Sequence, residues 1–349
     1  SGQIAQSAPS ENFHGVFDVE SSDPDTFVAW LLGRNDVASR SQKPLHLRGS
    51  LRVDPNQVIV DQMKADIDGG SVQGRLAFVR AKAGKGTRTE ADLKADRLDL
   101  DAAAVLVRAL AGPQADWPDE GRISLNVDRA ISAGQELHPF VAKLSYDPKA
   151  ITLEQLKVGR SGGLNVDGAG AFDRINATGK LFLNTTSDSV AQLTSLIAPV
   201  APAVAARLEA MPSVAGPARV NIALNVDKNP SDKNKADANA KLDVDLPQLK
   251  GVLSMTAAPL LADVRAANLD ALARSTMTVQ AKVSAKRGDV LPALLGVDHV
   301  IMVHDGPVVV DGEAAGGWHA PIQLKAKLSG ADLDAEVKGT LEPWSPTRK

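Results

Sequence analysis

The chain contains no cysteine and few aromatic residues, and both absences restrict what it can be. Without cysteine it has no disulfide, no thiolate metal ligand and no cysteine nucleophile. Aromatic residues make up 3% of the 349 residues, whereas apolar residues of all kinds make up 44%. Aliphatic side chains must therefore supply most of the buried surface, which favours a thin, extended sheet over a compact mixed core.

The chain also lacks a concentration of charge of either sign and a long apolar run. Its net charge is −3, with lysine and arginine spread among the acids, so nucleic acid is excluded as a partner and no polybasic run can hold a membrane surface. No stretch reaches the ~18–20 apolar residues of a membrane span, and the opening residues do not resemble a signal peptide. We expect the chain to be a segment of a longer protein.

One stretch of sequence is present twice, at residues 44–78 and 137–172. The matching residues are Asp54-Pro55 with Asp147-Pro148, Gln62 with Gln155, Gly69-Gly70 with Gly162-Gly163, and Phe78 with Phe172. Such a repeat indicates that one supersecondary unit is used again, as in an elongated array.

Apolar and polar residues alternate over most of the chain, which is the pattern of half-buried strands. Short links rich in Asp, Pro and Gly predict antiparallel hairpins with one apolar face. The alternation changes phase at Gln62 and again at Gln155, which predicts a β-bulge in each copy. The predicted fold class is mainly β: an elongated antiparallel meander curled into a groove or a partly open sandwich, with short connecting helices.

Three units are predicted, each ending near a helix or a change of pattern. They are residues 1–115, with helices near 23–33 and 99–111; residues 116–212, ending in a helix at 187–210 that starts at Ser187 or Asp188; and residues 213–349, a divergent third copy with a short helix at 288–296.

No cluster of residues points to catalysis or metal binding. His299 and His304 are five residues apart in an extended run, so their side chains point to opposite faces. The AGKGT stretch at 83–87 lacks the spacing of a phosphate loop and precedes a strand. We therefore predict that the protein is not an enzyme and uses neither a cofactor nor a metal.

The apolar face itself is the remaining candidate site, and two interpretations of it stay open. It is either the core of a closed sandwich or a partly covered groove that accepts acyl chains. The predicted lining residues of the groove are Leu45, Leu47, Leu51, Val58, Val60, Leu76, Phe78, Ile123, Leu125, Ile151, Leu153, Val166, Phe172, Val220, Ile222 and Leu224.

The segments PLHLRGSLRVD, VIVDQMKADIDGGSVQGRLAF and DLKADRLDLDAAAVL resemble the AsmA-like envelope proteins of Gram-negative bacteria. The resemblance covers about residues 15–212 and is looser over 213–349. It implies a long curled β-groove with an apolar interior, similar to the bridge-like lipid-transfer proteins of eukaryotes. Members of the family are anchored in the inner membrane by an N-terminal helix, and they bring no catalytic residues with them.

From the resemblance we expect a periplasmic segment of an inner-membrane-anchored protein that binds and conducts phospholipid between the two membranes. Expected partners are phospholipid, the membrane-anchor segment and outer-membrane proteins, with a role in cell-envelope lipid transport and outer-membrane biogenesis. The alternative is a structural or assembly module with closed sandwiches, which binds outer-membrane protein partners and carries no ligand.

Overall fold

A computed structural model gives the fold of the chain in two compact units, Ser1–Ser161 and Gly162–Lys349. The structure describes residues 2–4, 12–22, 45–67, 69–80, 86–101, 103, 118–132, 134–198, 202–209, 215–266, 275–295, 306–317, 320–330 and 332–341. Each unit is a sheet of neighbouring strands with few helices, so the mainly β fold class is confirmed. The predicted division into three repeats stays a prediction, because the boundaries of a sequence repeat need not coincide with those of a compact structural unit.

Unit 1 is a sheet whose strands pair mostly with their neighbours in sequence. The strands are β1 (Gly2–Ile4), β2 (Phe13–Ser21), β3 (Leu45–Asp54), β4 (Gln57–Ile67), β5 (Gly70–Val79), β6 (Arg88–Asp99), β7 (Glu120–Ser132), β8 (Gln135–Leu137), β9 (Phe140–Tyr146) and β10 (Ala150–Arg160). The β7 strand pairs with both β8 and β9, and all of the sequential pairs from β1 to β6 are antiparallel.

One pair in unit 1 departs from the predicted meander. Strands β6 and β7 run parallel, with Ala91 opposite Ile123 and Leu93 opposite Leu125. A parallel pair needs a crossover connection of a dozen or more residues. The chain between Asp99 and Glu120 supplies that length and begins in a helical conformation. The predicted helix at 99–111 lies mostly outside the described residues.

Both predicted β-bulges are present. In β4 the register shifts between Val60 and Met63, and Gln62 adopts a positive φ of 51°. In β10 the register shifts between Leu153 and Gln155. A bulge places two residues opposite one, so the apolar residues before and after it share one face although their sequence phase changes.

The two copies of the repeat also share their turns. The Asp54 carboxylate accepts hydrogen bonds from the backbone N–H groups of Asn56 and Gln57, at 2.8 and 3.1 Å. Asp147 accepts the equivalent bonds from Lys149 and Ala150, at 2.7 and 2.6 Å. An Asx turn of this kind is the reason for an Asp before the Pro at both places.

Unit 2 is an antiparallel sheet in which each described pair joins strands consecutive in sequence. Its strands are β11 (Leu164–Asp173), β12 (Thr178–Ser189), β13 (Ala215–Lys228), β14 (Ala236–Asp245), β15 (Leu249–Ala257), β16 (Thr276–Ala285), β17 (Val308–Gly317), β18 (Ile322–Gly330) and β19 (Leu333–Leu341). Its helices are α1 (Val190–Ile197), α2 (Pro202–Glu209), α3 (Leu261–Arg265) and α4 (Val290–Leu295).

The predicted helix at 187–210 is corrected in two ways. The helix was predicted to start at Ser187 or Asp188, but strand β12 continues to Ser189. Ser189 is extended and is the N-cap residue, so α1 starts at Val190. The region then holds two helices, α1 and α2, rather than one. The short helix predicted at 288–296 is confirmed as α4. The helix predicted at 23–33 lies outside the described residues.

Within the described ranges, none of the helices has the length and apolar character that crossing a bilayer requires.

Candidate binding face

Two rows of residues cross the sheet of unit 2 on the same face. Paired residues on adjacent strands point to the same side of a sheet, so the strand register defines each row. The helix-side row is Gly168, Leu183, Ile222, Leu242, Leu253, Ala281, Gly312, Ala326 and Val337. The turn-side row is Gly170, Leu181, Leu224, Ala240, Met255, Val279, Ala314, Leu324 and Gly339.

Every position of both rows is apolar or glycine, over all nine strands from β11 to β19. Most of these residues are half-buried; Ala326 is fully buried and Gly339 is exposed. The rows are about 7 Å apart, because two residues of a strand rise about 3.4 Å each. The face is therefore a continuous apolar band.

The edge of the band beside the helix-side row is closed by helices. Val190 and Leu193 of α1, Leu208 of α2, and Val290 and Leu291 of α4 are buried in one cluster. Residues at the ends of the strands, including Val220 and Val244, pack against the same cluster. We call this the helix edge.

The opposite edge, beside the turn-side row, is closed by a smaller cluster. Ala177, Ala236 and Val264 are buried there. Phe172 and Leu261 pack on them, so the short helix α3 covers the strand ends on this side. We call this the turn edge. The cluster of the turn edge lies beside β11 to β14, whereas the cluster of the helix edge reaches from β11 to β19.

Neighbouring residues on β12 show how the two faces of the sheet differ. Phe182 points to the outer face and is 54% exposed. Leu181 and Leu183, on either side of it, point to the apolar face and are half-buried. At this strand the apolar face is therefore better covered than the outer face.

Unit 1 has an apolar face of the same kind. One row is Gly15, Leu51, Val60, Leu76, Ala91, Ile123, Leu144 and Leu153, all half-buried. The next row is Phe13, Val53, Val58, Phe78, Thr89, Gly121, Tyr146 and Ile151. At the opposite ends of the strands Ala65, Val72, Ala95, Val127 and Ala130 form a buried cluster.

The sixteen residues predicted to line a groove all lie on the apolar face of their own unit. In unit 1 they are Leu45, Leu47, Leu51, Val58, Val60, Leu76, Phe78, Ile123, Leu125, Ile151 and Leu153; in unit 2 they are Val166, Phe172, Val220, Ile222 and Leu224. Leu45 is 5% exposed, so it is packed away. Phe172 packs on the turn-edge cluster, and Val220 packs on the helix-edge cluster.

Several residues of the same face were missed by the sequence prediction. They are Leu144 in unit 1 and Leu181, Leu183, Leu242, Leu253, Met255, Val279 and Leu324 in unit 2. Their alternation with polar neighbours is as regular as that of the predicted residues, so the same signal would have found them.

Tyr146 is the only tyrosine of the chain and lies in the second row of unit 1. Burial on the apolar face raises the pKa of its phenol above the usual 10.0, because the charged phenolate is poorly solvated there. The hydroxyl is therefore neutral at physiological pH.

Comparison of the chain with protein-family models, curated proteins and solved structures finds no match.

The outer faces of both sheets carry the charged residues. On unit 1, Arg75 forms ion pairs with Asp61 at 2.8 Å and with Glu90 at 3.2 Å. On unit 2, a groove of about 610 Å³ lies among the charged side chains of β15 to β19, including Lys282, Lys325 and Glu336. Its cations and anions alternate, and the Lys325 and Glu336 side chains pair at 3.4 Å. Such exposed pairs contribute little to stability.

Among the described residues, no group of three or more His, Asp or Glu side chains has the arrangement of a metal site.

Proposed function

We propose that the protein binds phospholipid acyl chains along the apolar faces of its two sheets and conducts them from strand to strand. The observation that carries this proposal is the pair of uninterrupted apolar rows in unit 2, which are half-buried beside the helix edge. A continuous apolar strip that the protein covers only in part is a liability in water unless a ligand covers the rest. In keeping with the resemblance to AsmA-like proteins, we propose that the chain acts in the periplasm as part of an inner-membrane-anchored protein.

The rows suit a ligand that moves. Nine strands at about 4.8 Å spacing give a band about 38 Å long across the sheet. Each buried CH₂ group contributes about 0.8 kcal/mol, and no side chain in the rows fixes the position of the ligand through a hydrogen bond or charge. An acyl chain can therefore slide along the band without losing a specific contact.

The test compares two adjacent residues of β12 that point to opposite faces. Leu181→Asp places a carboxylate in the turn-side row, whereas Phe182→Asp places one on the outer face. Native mass spectrometry of both variants and the wild type, followed by extraction and identification of bound molecules, measures lipid retention. We expect phospholipid on the wild type and on Phe182→Asp, and its loss from unit 2 in Leu181→Asp.

Circular dichroism and urea unfolding establish that each variant is folded before its lipid content is compared. Because unit 1 carries an independent apolar face, the double variant Leu181→Asp with Val60→Asp is expected to lose the lipid that Leu181→Asp alone retains. Equal lipid content in folded wild type and double variant would refute the placement of lipid on these faces. A lipid-free wild type that ignores fluorescent phospholipid would favour the assembly-module alternative.

A further inference from the structure

Three turns of unit 2 meet at the turn edge, and together they form what we call the turn cluster. It consists of residues 173–177, 228–235 and 258–265. The Arg174 Nε donates a hydrogen bond to the Arg265 carbonyl at 3.2 Å, and the Lys228 Nζ donates to the Asn176 side chain at 3.0 Å. Backbone bonds from Ala236 to Pro259 and from Leu261 to Asn234 join the other two turns. The cluster is therefore one connected surface.

Two large aliphatic side chains of the turn cluster project into solvent. Ile175 is 57% exposed and Leu260 is 54% exposed. Turns of this kind are normally built from small and polar residues. Neither side chain contributes to the buried cluster beneath it, which Ala177, Ala236 and Val264 form. Their exposure is thus not a consequence of closing the turn edge.

The turn cluster contains both cations and acids. Lys228, Lys233 and Arg265 are exposed and Asp173 and Asp263 are half-buried, whereas the side chains of Lys235 and Asp232 are equally exposed, at 44% and 43%. The three turns also contain Arg174 and Lys235, so five cations stand against three acids.

Two of these acids are engaged inside their own turns. Asp173 accepts hydrogen bonds from the backbone and side chain of Asn176, at 2.8 and 2.7 Å. Asp232 accepts a bond from the backbone N–H of Asn234 at 2.9 Å and lies 3.8 Å from the Lys235 amine. Within the three turns the cations therefore exceed the acids by two (5 − 3), beside the two exposed apolar side chains. Asp227 and Asp237 adjoin it on the outer face of the strands.

We propose that the turn cluster docks on the surface of an anionic membrane, with Ile175 and Leu260 inserted between the headgroups. Apolar side chains flanked by cations are the combination that holds a protein at a lipid interface, because the apolar groups enter the headgroup layer and the cations are attracted to the anionic surface. Folding assembles this patch from three separate turns, so the sequence, which has no polybasic run, does not reveal it.

Docking would put the apolar band next to the bilayer. The turn-side row lies immediately inside the turn edge, behind Phe172 and Leu261. A lipid leaving the membrane at Ile175 and Leu260 would have to cross only this edge to reach the band. The inference rests on the proposed function in this respect, since it names the place where the lipid enters.

The test measures co-sedimentation of the full chain with vesicles of phosphatidylethanolamine and phosphatidylglycerol, and with vesicles of phosphatidylcholine alone. We expect binding to the anionic vesicles and on the order of tenfold weaker binding for the double variant Ile175→Ser with Leu260→Ser. The matched control is Phe182→Ser, which removes an equally exposed apolar side chain from the outer face and leaves binding unchanged.

A second pair of variants tests the charge. Lys233→Glu reverses an exposed cation of the turn cluster, and Lys286→Glu reverses an exposed cation beside the helix edge. We expect a severalfold loss of binding to anionic vesicles for Lys233→Glu alone. Equal effects of the two charge reversals would show attraction by net charge only and overturn the proposal.

The outcomes separate this inference from the proposed function. Wild type that retains phospholipid but ignores both kinds of vesicle would overturn docking and leave lipid binding intact. Wild type that binds anionic vesicles through Ile175 and Leu260 but carries no lipid would support docking and refute the proposed function. Unchanged vesicle binding in the folded Ile175→Ser, Leu260→Ser variant would overturn docking at this site. A protein partner found to bind the turn cluster instead of a membrane would also overturn it.

Discussion

The ring of Tyr146 lies directly over the backbone of Gly121 on the neighbouring strand. The two residues are register partners, and a Cβ atom at Gly121 would overlap the tyrosine ring. An aromatic ring that covers a glycine on the paired strand shields backbone that has no side chain of its own. Gly121 is therefore buried, and Tyr146 is held against the apolar face.

The ionisation of the Tyr146 phenol can be measured to test how this residue packs on the apolar face. We expect its phenol to ionise above pH 10, because burial raises its pKa. The folded state then keeps the proton to higher pH than the unfolded state does, so the stability linked to this group is complete below about pH 10 and is lost as pH rises through the folded pKa. Absorbance of the phenolate measures the titration, and no other tyrosine contributes to it. Ionisation at the value of an unfolded control would contradict the packing described here.

Replacing Gly121 by valine should displace the Tyr146 ring. The new side chain would occupy the space of the ring, so we expect the phenol to move into solvent and its pKa to fall towards 10. Overpacking of this kind costs about 1–3 kcal/mol of unfolding free energy, measured by urea denaturation. Gly134→Ala serves as a control for added side-chain volume, since nothing lies near the Cβ position there, although its positive φ of 72° brings a small strain of its own.

The bulge of β4 predicts that two neighbouring deletions differ in effect. Deleting Gln62 removes the extra residue, so Val60 and Met63 still point to the apolar face of a straighter strand. Deleting Lys64 forces either Asp66 or Gln62 towards that face and turns Ala65 or Met63 away from it. We expect the Lys64 deletion to lose at least about 2 kcal/mol more unfolding free energy, in line with the loss of a large core side chain. If the two deletion variants had equal stabilities in urea, the bulge would not determine which residues of β4 point to the apolar face.

Asp173 is expected to stay ionised to unusually low pH. Its pKa is lowered first by the backbone hydrogen bond from Asn176, then by the bond from the Asn176 side chain. A group with a lowered pKa contributes stability above its unfolded pKa, and that contribution is lost as pH falls through the folded value. An NMR titration of the Asp173 carboxyl carbon should give a midpoint below the usual 3.8, and Asn176→Ala should raise that midpoint.

The alternation of residues predicted the strands and their faces well, because one side of each strand meets water and the other does not. The phase changes at Gln62 and Gln155 predicted both bulges, since a bulge is the simplest way to keep one face apolar across a change of phase. The same logic places all of the predicted lining residues on one face of each unit. Whether lipid occupies those faces stays a proposal.

Two features could not be read from local patterns. The direction of β7 relative to β6 leaves no mark on alternation, because a half-buried strand looks the same whether its neighbour runs with it or against it. The turn cluster is assembled from residues as far apart as Arg174 and Arg265, which only the strand order brings together. The alternation of residues in a short stretch of sequence predicts which side chains share a face of the sheet. It does not predict which turns lie next to each other in the folded protein.

The parallel pair also determines how the repeat can propagate. Within the sheet, β9, which begins the second copy, lies five strands along from β3, which begins the first, because β7 pairs directly with β9; five is an odd number. In a purely antiparallel meander each added copy would then be inverted, and Asp54 and Asp147 would lie at opposite ends of the strands. The single parallel step cancels that inversion, so both aspartates lie beside one row, that of Val53 and Tyr146. Strands β3 and β9, which begin the two copies, therefore run in the same direction, so gene duplication could lengthen the sheet without changing the side on which its turns lie.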